Sequence, residues 1–287
     1  MMTDRQKANL LAKALSDPVW WCREVLGVTT LTWEGHIKAL ELFAKHNRLA
    51  IRSGHSLGKD FLSGLFALWY LHNHPDSVVI TTAPTSRQVE KIVWGEISRY
   101  HAASKYPLGS TLTNKSLKIS DNWYAIGFTT DAKNEMVGKF QGFKGRSVCV
   151  IATEAQAIED QIYDQIEGVL TAPNSKLYLA GNPLRTDGYF HRAFSDPSFA
   201  TMSWSCYDSP NYIEGKEVIP GMVSREWVTD KEVRWGVDSP LFLSRVLGLP
   251  PRVSTDTLVS PALVEACVNG KPPRHGKVVV GADIARY

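Results

Sequence analysis

The sequence predicts an α/β fold: a mostly parallel central sheet flanked by helices, plus a small helical subdomain. Three observations carry that expectation. Between residues 48 and 181, short apolar runs alternate with longer stretches of helical spacing. Strands that alternate with helices imply crossover connections, and crossovers make parallel sheets. The runs themselves, such as Val78-Val79-Ile80 and Val148-Cys149-Val150-Ile151-Ala152, are apolar throughout, as strands covered on both faces are. Finally, a glycine-bearing loop joins the first strand directly to a helix.

Residues 5–15 have helical spacing, and Pro18-Val19-Trp20-Trp21 begins a second short helix. From Trp33 to Phe43 the apolar positions 37, 40, 42 and 43 fall mostly on one helical face. Arg48–Ser53 reads as a strand, Lys59–His72 as a helix, Val78–Thr82 as a strand and Ser86–Ser104 as a helix. Lys115–Ser120 and Trp123–Thr129, separated by Asp121-Asn122, break the rhythm and predict a β-hairpin. Gly138–Gly145 predicts a loop. Ser147–Thr153 returns as a buried strand, Asp160–Leu170 as its helix, and Lys176–Gly181 as a further strand. Beyond residue 200 the pattern is less regular, with helices at Ser224–Trp235 and Pro240–Leu247 and a stop at Gly248-Leu249-Pro250-Pro251. The stretch to residue 276 is rich in Pro, Ser and Gly and reads as a linker with one short helix, about Pro261–Asn269. Lys277–Asp283 then opens a new strand. The expected organisation is a helical region at 1–47, a core at 48–203, a helical lid at 204–250, a linker at 251–276 and the first strand of another domain at 277–287.

The 287 residues are 44% hydrophobic and 21% charged, which suits one large soluble domain, or one plus a fragment. A net charge of +3 argues against a uniformly basic nucleic-acid coat, so a nucleic-acid partner would need a local basic face. Cys22, Cys149, Cys206 and Cys267 form no CxxC pair, which argues against zinc and thioredoxin-like chemistry. Cys149 reads as a core residue, and all four as reduced thiols. The first residues carry charges where a secretory leader is apolar, and no run has the length of a membrane span, so no membrane partner is expected.

The loop is Arg52-Ser53-Gly54-His55-Ser56-Leu57-Gly58-Lys59-Asp60. Between a strand and a helix, this is a phosphate-binding loop, and it narrows the expected fold to a P-loop NTPase of the RecA/ASCE-like type. Gly54 and Gly58 let backbone N–H groups from Ser53 to Asp60 turn toward phosphate oxygens, and Lys59 would reach the β- and γ-phosphates. The alternative is a helix N-terminus with an incidental lysine. Downstream, Glu154 follows the buried strand, where a carboxylate would orient an attacking water. Its alternative role is that of a helix-capping acid.

The loop departs from the usual pattern in ending Lys59-Asp60, where a Ser or Thr hydroxyl ordinarily holds Mg²⁺. At the facing strand end, Thr153 stands where an Asp is usual. Mg²⁺ prefers hard oxygen ligands with one or two carboxylates. An exchange of hydroxyl and carboxylate across the cleft would keep that set, with Asp60 and Thr153 as metal partners. Two independent losses in a dead ATPase are the other reading.

Together these motifs resemble the large terminase subunit of tailed bacteriophages, from about Leu31 to the end of the chain. The 52–59 loop is similar to that family's RxGHGxGK form, and Thr82-Ala83-Pro84-Thr85-Ser86-Arg87-Gln88 to its second ATPase strand and turn. Phe140-Gln141-Gly142-Phe143, Glu154-Ala155-Gln156-Ala157-Ile158 and Ile166–Thr171 resemble its Walker B region. Leu179-Ala180-Gly181-Asn182-Pro183 resembles its coupling motif. The resemblance implies an ATP- and Mg²⁺-dependent motor that drives double-stranded viral DNA into a procapsid. It works with a portal protein and a small terminase subunit, as a ring, in the host cytoplasm. It further implies Asn182 as a γ-phosphate sensor. In the family an RNase H-like nuclease follows. Val278–Arg286 resembles its first strand, with Asp283 as a metal ligand, and the expectation is that this chain lacks nuclease activity. The adenine-sensing position carries Trp33-Glu34 instead of Gln, so Glu34 is the candidate adenine contact. Arg52 is a candidate charge-stabilising arginine in cis, and Arg99 and Arg185 are candidates toward a neighbour. Lys115, Lys118, Lys133, Lys139, Lys144 and Arg146 form a candidate phosphate-tracking patch. A helicase-like remodeller and a nucleotide-binding scaffold without turnover remain the alternatives.

Overall fold

In the computed structural model, residues 4–130, 140, 142–143, 145–251 and 267–268 are described. Residues 1–252 form one compact unit and 253–287 a second. In the second, only Cys267 and Val268 are described, both helical and exposed. The rest of the linker, the strand at 277–283 and Asp283 therefore lie outside the described residues, as do Lys133, Lys139 and Lys144.

The first unit opens with helices α1 (Asp4–Ser16), α2 (Pro18–Glu24) and α3 (Glu34–Lys45). The core then runs β1 (Arg48–Ser53), α4 (Lys59–Asn73), β2 (Ser77–Ala83) and α5 (Trp94–Ala103). The hairpin region gives β3 (Thr111–Leu112), β4 (Ser116–Ser120) and β5 (Trp123–Thr129). Next come β6 (Ser147–Thr153), α6 (Asp160–Val169), β7 (Lys176–Gly181), α7 (Gly188–Arg192) and β8 (Ala200–Trp204). Three short helices close it: α8 (Pro210–Glu214), α9 (Arg225–Trp235) and α10 (Pro240–Arg245).

The eight strands form one sheet in the order β3-β4-β5-β2-β6-β7-β1-β8. From β5 to β8 all neighbours are parallel, and β3 and β4 are added antiparallel at one edge. Two features differ from the sequence expectation. The segment after Trp94 is α-helical, but Gln88–Val93 is wound as a π-helix, so Ser86–Ser104 is not one regular helix. In addition, Ala200–Trp204 pairs with β1 as an edge strand. Its half-exposed face interrupts the apolar run that identifies the inner strands.

Strand periodicity divides the core into two layers. Leu49, Ile51, Val79, Cys149, Ile151 and Tyr178 face the layer of α2 to α5. Ala50, Val78, Ile80, Val150, Leu177 and Leu179 face the layer of α6 and α7. On the first side, α4 is the central helix: Leu62, Leu65, Phe66 and Trp69 are buried, and Phe66 stacks on Phe43 of α3 at 4.1 Å. Truncating such an aromatic to alanine costs about 3–5 kcal/mol. Lys176, at the start of β7, donates from Nζ to the Ala44 and His46 carbonyls at 3.2 and 2.8 Å. It thereby satisfies the C-terminus of α3 and fixes that helix beside the sheet. Burial lowers its ammonium to about 8.

Candidate nucleotide site

The loop sits where β1 passes into α4, at the carboxyl ends of the parallel strands, where open α/β sheets bind ligands. Gly58 caps α4 with φ +80 and no side-chain cap, so the first-turn N–H groups of Lys59, Asp60 and Phe61 have no acceptor within the helix. Those N–H groups and the helix dipole favour an anion. Gly58 is required twice over. Its φ suits glycine, and an added Cβ would lie 2.4 Å from His36 Nε2. His36 itself bonds through Nε2 to the Leu57 carbonyl at 2.9 Å, which makes Nε2 the protonated nitrogen.

The segment from Trp204 to Arg245 holds the loop from the other side. Gly54 N–H donates to the Trp204 carbonyl at 3.0 Å, His55 N–H to the Arg245 carbonyl at 2.8 Å, and Val223 N–H to the Ser56 carbonyl at 3.0 Å. The backbone of Ser56 adopts φ +53, a conformation that costs a serine energy and persists under these ties. His55 packs edge-on against Trp227 of α9. Arg245, the last residue of α10, keeps its Nε buried with no hydrogen-bond partner.

Lys59 is buried and donates from Nζ to Ser53 Oγ at 2.8 Å and the Gly54 carbonyl at 3.1 Å. Burial lowers its ammonium, while the carboxylates of Glu154 and Asp60 pull it back up. Burial raises the Asp60 carboxyl to about 6; Lys59 opposes this, and Glu154 and Glu96 add to it. Burial also pushes His55 down to about 4, together with the charges of Lys59 and Arg245 and against that of Glu154. Thus Lys59, Asp60, His55 and Glu154 share one electrostatic neighbourhood, although they come from β1–α4 and the end of β6.

Glu154 follows β6 with φ +49, a left-handed conformation uncommon outside glycine. Gln156 Nε2 donates to Glu154 Oε2 at 2.7 Å and fixes the carboxylate. Gly181, at the end of β7, makes room for that amide: a Cβ there would lie 2.0 Å from Gln156 Oε1. Next to it, Asn182 Nδ2 donates to the Ser53 carbonyl at 2.6 Å. Thr153 is buried at the end of β6, in register with Ala180, and makes no hydrogen bond to Asp60.

The other candidates are placed as follows. Arg52 points to the α6–α7 side, where Nε donates to Ser203 Oγ at 2.8 Å and the guanidinium covers Phe194. It is not aimed at the loop's phosphate face. Glu34 is exposed in the first turn of α3, and Trp33 packs on Trp204 and His36. Arg99 bonds Tyr100 and Glu96, and Arg185 pairs with Asp187. Lys115 pairs with Glu90 and Lys118 with Asp121, while Arg146 is exposed. Sequence reasoning missed His36, Gln156 and Arg245. His36 lies on the buried face of α3 and reads as core, Gln156 stands in the Glu154–Ile158 run without a role of its own there, and Arg245 belongs to no local pattern that announces a site.

A cavity of about 430 Å³ opens beside the loop, lined by His36, Gly58, Asp60, Phe61, Glu96 and Tyr100 among others. A larger one of about 760 Å³, beside Phe143 and α6, contains no loop residue. The cavity at the loop can take the remainder of a phosphate-bearing ligand. Among the described residues no three His, Cys, Asp or Glu side chains form a protein-only metal cage.

These elements define a P-loop NTPase fold of the type in which an additional strand, here β7, separates the loop strand from the acidic strand. Within that class the chain resembles terminase large subunits. It is 23% identical over 240 residues to a probable terminase large subunit of Enterobacteria phage P7, covering 77% of this chain. The chain spans 46% of the length of that relative. The large terminase ATPase domain of Thermus phage P74-26 superposes with a TM-score of 0.61 at 15% identity, covering 81% of this chain and 98% of that domain. The large terminase of a thermophilic bacteriophage, in complex with ADP, gives 0.54 at 12% identity, covering 85% of this chain and 53% of that one. The HK97 large terminase gives 0.55 at 13%, covering 76% and 50%. No protein-family model matches the chain. The fold is that of large-terminase ATPase domains.

Proposed function

We propose that this chain is the ATPase portion of a phage large terminase, which binds and hydrolyses ATP to move double-stranded viral DNA into a procapsid. The observation that carries this reading is that the Glu154 carboxylate acts on the charge of Lys59. A buried lysine on a helix-capping loop lies in the field of a carboxylate that Gln156 holds at the adjacent strand end. An enzyme that only held phosphate would have no need of a fixed carboxylate facing it.

The phosphates lie on the N–H groups of Ser53 to Asp60, and Lys59 turns from Ser53 and Gly54 to the β- and γ-oxygens. Glu154 holds the attacking water and takes up its proton. Asn182, bonded to the Ser53 carbonyl, links the loop to β7 and reports the γ-phosphate. The residues suit Mg²⁺: Glu154 and Glu96 disfavour the charge on Asp60, a repulsion that a cation relieves. Asp60 and Thr153 would hold the ion along with phosphate oxygens and water. When bound, it neutralises charge on the phosphates. The expected setting is the host cytoplasm, in a ring on the portal protein with the small terminase subunit. Exposed Arg146 and the hairpin lysines Lys115 and Lys118 would track the DNA backbone.

Phosphate release by the wild-type chain, compared with Lys59→Ala and Glu154→Gln, tests the assignment. Lys59→Ala is expected to lose nucleotide binding. Glu154→Gln is expected to keep it but to turn over about a hundredfold more slowly. Unchanged rates in both variants would sink the site.

A further inference from the structure

We propose that Arg245 contacts the terminal phosphate of the nucleotide held on its own chain's loop, and so ties the lid segment to the presence of that phosphate. The proposal rests on the nucleotide-site reading above and adds a residue that the motifs do not contain.

Arg245 is the one arginine among these candidates whose surroundings call for a ligand. A guanidinium carries five donors and keeps its charge at any working pH. Its Nε is fully buried without an acceptor, and among the described residues the side chain makes no hydrogen bond and no ion pair. Burying such a donor unpaired is unfavourable unless something else supplies the oxygen. The other arginines considered as charge stabilisers are already engaged: Arg52 by Ser203 and Phe194, Arg99 by Tyr100 and Glu96, Arg185 by Asp187.

Its position specifies the ligand. The Arg245 carbonyl accepts the His55 N–H at 2.8 Å, so the residue is anchored against the middle of the loop. An added Cβ on Gly54 would lie 3.0 Å from the same carbonyl, which shows how closely α10 and the loop approach. The charges of Arg245, Lys59 and Glu154 all act on His55, so the guanidinium lies in the neighbourhood where loop and acidic strand end converge. A multiply charged oxyanion next to Lys59 satisfies both cations, and the planar fork of an arginine matches phosphate oxygens.

The contact would also act mechanically. Arg245 lies at the end of α10 in the segment that also contributes the Trp204, Val223 and Val246 backbone contacts to the loop and its neighbour Cys206. Loss of the terminal phosphate removes the partner of the buried Arg245 Nε–H in that segment and leaves its backbone ties in place.

The test uses the full chain with Arg245→Met, Arg245→Lys and the Lys59→Ala control. Three readouts are compared: steady-state hydrolysis, Kd for ADP and for ATPγS with Mg²⁺, and Tm without nucleotide. Arg245→Met is expected to slow turnover by about a hundredfold, the size of effect known for one charge-stabilising group. It should weaken ATPγS by about tenfold or more while changing ADP by less than about threefold, since only one ligand carries the third phosphate. Its Tm should stay level or rise, because a buried Nε–H that lacks an acceptor has been removed. Arg245→Lys should recover part of the turnover. Equal weakening of ADP and ATPγS with a lower Tm would mark a structural arginine and overturn the proposal, as would unchanged turnover and an unchanged ATPγS-to-ADP ratio. Lys59→Ala with intact nucleotide binding would instead remove the loop reading itself.

Discussion

Asn182 Nδ2 donates to the carbonyl of Ser53 at 2.6 Å, joining the end of β7 to the end of β1 one residue before the first glycine of the loop. The residue before it, Gly181, leaves the space that Gln156 fills, and Gln156 holds Glu154 at 2.7 Å. Two consecutive residues at the end of β7 therefore touch the supports of both the phosphate loop and the acidic side chain. An additional strand between β1 and β6 places them there. Hydrogen-bonded and packed side chains can carry coupling between sites, and this short path joins the two supports.

Removing the Asn182 amide is expected to cost both stability and turnover. The variant Asn182→Ala leaves the Ser53 carbonyl, on a fully buried residue, without this donor. The expected loss is about 1–3 kcal/mol, read as a lower urea midpoint with unchanged slope. Turnover should fall further than nucleotide affinity, because the loop's start is no longer pinned to β7. A wild-type urea midpoint for Asn182→Ala would show that the bond contributes nothing to the fold.

The Asp60 and Thr153 exchange makes a prediction about a pair. Asp60→Thr alone removes a carboxylate from the site, and Thr153→Asp alone adds one next to Glu154 at the end of β6. Each single variant is expected to lose about a hundredfold in turnover. The double variant should return to within about tenfold of wild type, because the site then has its usual hydroxyl and carboxylate on opposite sides of the cleft. Phosphate-release assays on all four chains measure the coupling. If the double variant loses activity that each single one keeps, the exchange reading is wrong.

The inner strands were legible because burial on both faces leaves continuous apolar runs: β1, β6 and β7 span the residues expected of them. β8 was not, because one face of an edge strand is wet and its burial alternates. The loop was legible because tight turns demand glycine and phosphate demands a lysine at a fixed offset. The residues that hold the loop in place are different. Arg245 and Trp204 act through their backbone carbonyls at long sequence separation, which leave no mark on residue choice, and His36 acts through a ring that reads as core on the buried face of α3. Arg52 shows the converse. It stands beside the loop in sequence, but the two-residue period of β1 turns it, like Ala50, toward the α6–α7 side.

Acid should loosen the fold through His36. This imidazole is 2% exposed, boxed by Trp33, Phe61 and Trp204, with its Nε2 on the Leu57 carbonyl. Burial pushes it down to about 4 from an ordinary 6.5, with the Leu57 hydrogen bond opposing. The unfolded chain takes up a proton near the ordinary value, and the native chain resists until about 4. The folded state thus binds fewer protons in that interval. Its stability from this group is complete above about pH 6.5 and is lost as pH falls toward 4. The loss by about pH 5 is on the order of 2 kcal/mol. The variant His36→Gln retains an N–H for Leu57 and does not titrate, so its urea midpoint should fall less than that of wild type between about pH 7.5 and pH 5. A variant that keeps the full wild-type pH slope would assign the acid sensitivity to His55, His72 and His74, which burial also lowers to about 4.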